Sequence, residues 1–217
     1  LYVIEDATES LGATYKEKQT GTFGSFGCFS FNGNKLITTG GGGMIVTDDI
    51  KRAEHIKFLV NQARDASKGY YHPEMGFNYR MTNLEASLGL AQFERIGEFL
   101  EKKKKFRQIY REILSDLPYV RFQKEYDEAE GSWWLSCIKF ENEMDVSKLA
   151  KELKEKGIPT RPLFVPVCEM PYLKEYSKPC PNALNIYKKG ICLPSSTVNK
   201  IDTIKEVALT IRDVLVK

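Results

Sequence analysis

The chain has 217 residues, 42% hydrophobic and 28% charged, a balance that supports a packed core and excludes a disordered or collagen-like chain. Its net charge of +3 argues neither for nor against nucleic acid. The basic run Lys102–Lys105 sits in a helical pattern and reads as a solvated face, so no nucleic-acid partner is expected. No stretch reaches the roughly 20 apolar residues needed to cross a bilayer. An odd count of five cysteines without a CxxC pair, and only two histidines, argues against a disulfide framework or a metal site and fits a reducing cytoplasm.

Leu1–Ile4 reads as a buried parallel strand already under way, closed by Glu5 and Asp6 at its carboxyl edge. With no initiator Met and no signal-peptide pattern, a fragment beginning in mid-domain is expected. Cys28–Phe31 and Met44–Thr47 are two more strands, separated by Asn32-Gly-Asn-Lys35 and the Gly40–Gly43 tetrad. Residues 50–65 predict a helix with Ile56, Leu59 and Val60 on one face. After a Gly/Tyr/Pro-rich loop over 66–81, Thr82-Asn-Leu-Glu85 has the form of a capping box. Apolar residues from Leu84 to Leu117 keep helical spacing up to Pro118, as one long helix or two joined near Gly97.

The remainder alternates differently. Strands are expected at Tyr119–Phe122 and Trp133–Phe140, a helix over 146–156 closed by Gly157, an extended segment over 159–166, and a final helix over 202–216. This α/β pattern forms a unit of its own, so the domains are placed at 1–105 and 106–217.

Three features carry possible chemistry. Asp6 follows an apolar strand, and a carboxylate buried there needs a cationic partner. Ser30 and Lys35 lie five residues apart on a strand-to-turn segment whose Asn32, Gly33 and Asn34 tolerate an irregular backbone. Four glycines behind them allow close approach to the backbone. Each feature has a plainer reading. An acid after a strand caps a turn, a lysine in an Asn/Gly turn faces solvent, and the glycine tetrad lacks the Gly-Lys-Ser/Thr of a nucleotide loop.

Read together, the segments Ile4-Glu-Asp-Ala-Thr-Glu-Ser-Leu-Gly-Ala13, Gly21-Thr-Phe-Gly24, Phe29-Ser-Phe-Asn-Gly-Asn-Lys35, Thr38–Met44 and Gly76-Phe-Asn-Tyr-Arg-Met-Thr-Asn83 resemble the DegT/DnrJ/EryC1/StrS sugar aminotransferases. The resemblance continues through Arg161-Pro162, Pro166–Tyr172 and Gly190–Ser196, and so covers nearly the whole chain. It implies the second half of a fold type I aminotransferase large domain, partial and bound to pyridoxal phosphate (PLP), plus a small C-terminal α/β domain. Members run to roughly twice this length, as two domains require.

The resemblance makes Lys35 the Schiff-base lysine and general acid–base, and Asp6 the partner of the pyridine nitrogen. Glu9 falls where many members carry Gln or His, near the ring hydroxyl. Ser30 would bind the cofactor phosphate, and Asn78 would reach the phosphate of a neighbouring subunit's cofactor, which implies a homodimer. Arg80 is open between structure and substrate; Tyr79 and Tyr172 read as packing. Cys168 stands where relatives often place a histidine. Some relatives replace the lysine by histidine and remove a hydroxyl; with Lys35 present, transamination is expected. The substrate implied is a UDP-linked 4-keto-6-deoxy-N-acetylhexosamine, as in bacillosamine and legionaminic acid pathways, with glutamate as amino donor and no metal. The alternatives are an enzyme resembling GDP-perosamine synthase and a truncated, non-catalytic binding or dimerisation module.

Overall fold

The computed structural model describes all residues, 1–217. It divides into two compact units: residues 1–100 with 125–134, and residues 101–124 with 135–217. The predicted boundary near 105 therefore falls earlier, and a ten-residue segment returns to the first unit. Helical periodicity runs unbroken across residue 100, so the pattern could not mark that division.

In the first unit, β1 (Ile4–Asp6) pairs in parallel with the later strand Phe26–Ser30. Between them a small antiparallel pair forms, β2 (Thr14–Tyr15) with β3 (Lys18–Gln19). The strand Phe26–Ser30, β4, then pairs antiparallel with β5 (Gly43–Val46), giving the sheet order β1-β4-β5. β4 alternates half-buried and buried residues, and Phe29 packs with Ala7, Phe31 and Ile37 into a core. Gly27 is required by crowding, because a Cβ there would lie 1.8 Å from the Gly21 carbonyl oxygen.

The expectation of a buried strand at Leu1–Ile4 is corrected. The strand is Ile4–Asp6, and Leu1, Tyr2, Val3 and Ile4 are all exposed. β1 is an edge strand, paired only to β4, so its apolar residues gain little cover within this chain. α1 (Ile50–Val60) starts at Asp49, whose side chain accepts from the Arg52 amide. It ends five residues before the predicted limit, where Gln62 and Ala63 take positive φ.

The long helical pattern resolves into α2 (Asn83–Phe93) and α3 (Ile96–Leu114). The capping box forms as expected: Thr82 Oγ1 accepts from the Glu85 amide while Glu85 accepts from the Thr82 amide. The break lies at Glu94–Arg95, where Arg95 N–H donates to Gln92 O, a tighter turn than the α-helix; Gly97 lies inside α3. No residue of α2 is buried, and Leu84, Leu88, Leu90 and Phe93 face solvent in this chain.

The second unit is built on β6 (Val120–Phe122), β8 (Ser136–Phe140), β9 (Arg161–Pro162) and β10 (Gly190–Leu193), in the antiparallel order β6-β8-β10-β9. The intervening strand β7 (Ala129–Glu130) belongs to the first unit, where it pairs with β2. On one sheet face pack Phe106, Tyr110 and Leu114 of α3, Leu149 and Leu153 of α4 (Val146–Glu155), and Ile204, Ala208 and Ile211 of α6 (Ile201–Leu215). Each large side chain so buried contributes roughly 2–3 kcal/mol relative to exposure. Gly157, at φ +77°, follows α4 as its stop signal predicted. A helix not anticipated, α5 (Pro181–Lys189), leads into β10.

Three side chains on one stripe of α3 secure the loop after β10. Tyr110 Oη donates to Pro194 O at 2.7 Å, Lys103 Nζ to Ser195 O at 2.5 Å, and Lys102 Nζ to Thr197 O at 2.5 Å. Lys103 is 5% exposed, and burial lowers its pKa to about 8. The same physics pushes the neutral Tyr110 phenol upward, since burial disfavours whichever form is charged. Across β8 and β10, Cys137 and Cys192 are register partners with sulfurs 3.5 Å apart, although 55 residues separate them in sequence.

Candidate active site

Lys35 sits in the turn that follows β4. Its amide donates to Asn32 O at 3.0 Å, while the Asn32 amide donates to Ser30 Oγ at 3.3 Å and the Gly33 amide to Asn32 Oδ1 at 2.9 Å. The turn is thus closed by its own polar side chains, which is why Asn and Gly occupy it. Beyond it, Gln92 of α2 clamps Thr38: its Oε1 accepts from the Thr38 amide and its Nε2 donates to the Thr38 carbonyl. Gly40 and Gly42 take φ +85° and +107°, so the tetrad serves the backbone path back into β5.

The Lys35 side chain is 14% exposed, unlike the solvent-facing lysine that an Asn/Gly turn ordinarily carries. Its Nζ lies 3.7 Å from Glu9 Oε1 and 4.2 Å from the centroid of the Trp134 ring. Thr8, Glu9, Leu11, Ser30, Leu36, Ser132 and Trp134 line the recess around it. The recess has a volume of about 10 Å³, room for one solvent molecule.

Asp6 does not line this recess. It pairs in register with Cys28, and side chains two apart on a strand share a face, so Asp6, Cys28 and Ser30 point the same way. Ala7 and Phe29, on the opposite face, belong to the core. The Asp6 carboxylate is exposed and accepts from the Thr8 amide at 3.3 Å. The pattern led to a buried Asp6; it is solvent-facing in this chain because β1 is an edge. Lys35, Ser30 and Glu9 are therefore brought together, while Asp6 shares a sheet face with Ser30. Asn78 is elsewhere in the first unit. It is exposed, in a backbone bridge with Asn61, and Arg80 and Tyr79 near it are exposed too.

Two residues escape sequence reasoning, one in the recess and one in the turn that leads to β4. Trp134 is one; its Nε1–H donates to Asn34 O at 2.7 Å from 100 positions away. Glu5 is the other. Its carboxylate accepts from the amides of Gly21 (2.7 Å), Phe23 (2.5 Å) and Gly24 (2.5 Å), and so organises the turn that delivers β4. Burial raises its pKa, but the amides of Gly24, Gly21 and Phe23, with Lys18 nearby, outweigh that and hold it below the usual carboxylate range. A separate concavity of about 540 Å³ lies over Lys148, Lys151, Glu152, Glu155 and Lys156 of α4. Its mixed charges make it a solvated helix face.

The fold is that of aminotransferases. The chain superposes on the aminotransferase TlmJ of Streptoalloteichus hindustanus with a TM-score of 0.90, at 20% identity, covering all of this chain and 59% of that one. Helicobacter pylori PseC, an aminotransferase involved in the biosynthesis of pseudoaminic acid, matches with a TM-score of 0.86 at 23% identity, covering 99% and 60%. The chain belongs to the DegT/DnrJ/EryC1/StrS aminotransferase family, whose model matches residues 1–212. Among curated relatives, GDP-perosamine synthase of Escherichia coli O157:H7 is 39% identical over 90% of this chain and 53% of its own length. That of Vibrio cholerae is 37% identical over 98% and 59%. The chain spans about half the length of the curated relatives it matches.

Proposed function

We propose that the protein carrying this chain is a PLP-dependent transaminase acting on a nucleotide-linked 4-keto-6-deoxy sugar. Glutamate would be the amino donor and cell-surface polysaccharide the destination of the product. The observation that carries this reading is the sheltered Lys35 amine, held beside Glu9 and Ser30 in a chain of an aminotransferase family. The donor set fits the cofactor chemically: a primary amine, a hydroxyl, and a carboxylate on the same sheet face.

Bound PLP supplies an aldehyde that condenses with amines and a ring that accepts the electron pair left when an α-proton departs. Lys35 Nζ takes the α-proton of the amino donor and, in the second half-reaction, returns a proton to C4 of the sugar. Glu9 Oε1, 3.7 Å away, gives the amine an ion-pair partner and helps hold it in the recess. The Asp6 carboxylate would accept a hydrogen bond from the protonated ring nitrogen of the bound cofactor. Ser30 Oγ would donate to its phosphate. Asn78, exposed in the first unit, reaches the phosphate held by a second subunit, so the working form is a cytoplasmic homodimer with shared sites.

A GDP-linked sugar is the second reading, favoured by the two perosamine synthases at 39% and 37% identity. The deciding experiment offers the full-length protein GDP- and UDP-linked 4-keto-6-deoxy sugars with glutamate and follows 2-oxoglutarate. Turnover with one nucleotide class, abolished by Lys35→Ala, is expected. Undiminished turnover in Lys35→Ala refutes the assignment of roles.

A further inference from the structure

We propose that Trp134 is a positioning residue for Lys35, an aromatic clamp that fixes both the lysine's amine and the turn carrying it. This rests on the proposed role of Lys35. Two polar features of one indole are engaged by adjacent residues of the same turn. The ring face meets Lys35 Nζ at 4.2 Å, and the Nε1–H donates to the Asn34 carbonyl at 2.7 Å. A tryptophan serving only as core filler needs neither.

The chain makes an excursion to deliver it. Residues 125–134 lie in the first unit, whereas the residues before and after belong to the second. The excursion is anchored on the β2 side. β7 pairs with β2, Lys16 N–H donates to Glu128 O at 2.8 Å, Lys16 Nζ meets Glu128 Oε2 at 3.3 Å, and Tyr126 packs against Tyr15. At its end, Trp133 is held at φ +51°, a left-handed conformation uncommon for a bulky residue. Strain of this kind persists where the surroundings over-determine it, and here it directly precedes the indole that meets the lysine.

Glu9 and the indole bracket the amine from two directions, so the amine has one favoured position. A cation over an indole is stabilised, more so when partly desolvated. The clamp therefore slows reaction of Lys35 with any carbonyl until the ring shifts, and it presents the amine at a fixed point in the recess.

Reductive methylation with ¹³C-formaldehyde tests it without cofactor, because methylation keeps the lysine's charge. In the wild-type protein, Lys35 is expected to react about tenfold more slowly than exposed Lys124 and Lys151, read by peptide mass spectrometry. Its methyl signals are expected upfield of theirs from the indole ring current. Trp134→Phe should keep an upfield signal while losing the Asn34 hydrogen bond. Trp134→Leu should abolish the shift and bring the labelling rate to that of the exposed lysines. If Trp134→Leu fails to fold, the wild-type and Trp134→Phe spectra decide. An unshifted Lys35 signal in wild type, or a shift retained in Trp134→Leu, overturns the clamp. Failure of Lys35 to accept PLP, with the shift present, would overturn the proposed function alone.

Discussion

Replacing Lys103 by methionine tests how the second unit holds the loop after β10. At neutral pH Lys103 is a protonated amine in a 5% exposed position, donating to Ser195 O. Burial sets its folded pKa at about 8, against roughly 10.4 in an unfolded chain. Below pH 8 both states carry the proton, and the lowered folded pKa corresponds to roughly 3 kcal/mol less stability than with the amine neutral. Between pH 8 and about 10.4 the unfolded chain binds the extra proton, so stability rises with pH; above that range the penalty is gone. Methionine has no such dependence. Urea unfolding followed by hydrogen exchange at Ile138 and Ile191 should show the wild type gaining about 3 kcal/mol on Lys103→Met between pH 7 and 10.5. Tyr110 titrates with the opposite sign but is common to both proteins. A wild-type-minus-variant difference that stays flat with pH would refute the reasoning.

Other outcomes follow from single contacts. Glu5→Gln should cost about 1–2 kcal/mol, the lower range for hydrogen bonds to a charged group because the carboxylate is near the surface. Glu5's pKa is lowered in the fold, so its stabilisation is present above about pH 4.3 and is lost as pH falls through the folded value; wild type and variant should converge there in acid unfolding. Gly27→Ala should lose roughly 3 kcal/mol, since the Gly21 backbone must move, and a wild-type melting curve would contradict that contact. Ser136 Oγ is buried without a hydrogen-bond partner, so Ser136→Ala should be neutral or stabilise by up to about 1 kcal/mol; a clear loss in denaturant titration would show a bond that the geometry does not.

Features set by neighbours in sequence were legible. The Thr82–Glu85 box, the Gly157 stop and the strands around Phe29 and Ile45 each depend on a few adjacent residues. Legible too was the turn placing Lys35 beyond β4, because Ser30 and Asn32 close it locally. What long-range packing decides was not. Nothing in Leu1-Tyr-Val-Ile4 tells an edge strand from a central one. α5 begins at Pro181 after Cys180, which makes no side-chain cap, so its start carried no signal beyond the proline. Glu5 looked equivalent to Asp6, yet it reaches the amides of a turn some 16 to 19 residues on. Trp134 read as part of a strand, and only the return of 125–134 to the first unit brings it to Lys35.

The central claim is that the Lys35 amine is the point of covalent attachment for PLP. Protein incubated with PLP, reduced with borohydride and digested should carry a single pyridoxyl mass increment on the peptide containing Lys35, and none there in Lys35→Ala. An increment spread over exposed lysines, with the Lys35 peptide unmodified, would contradict the account.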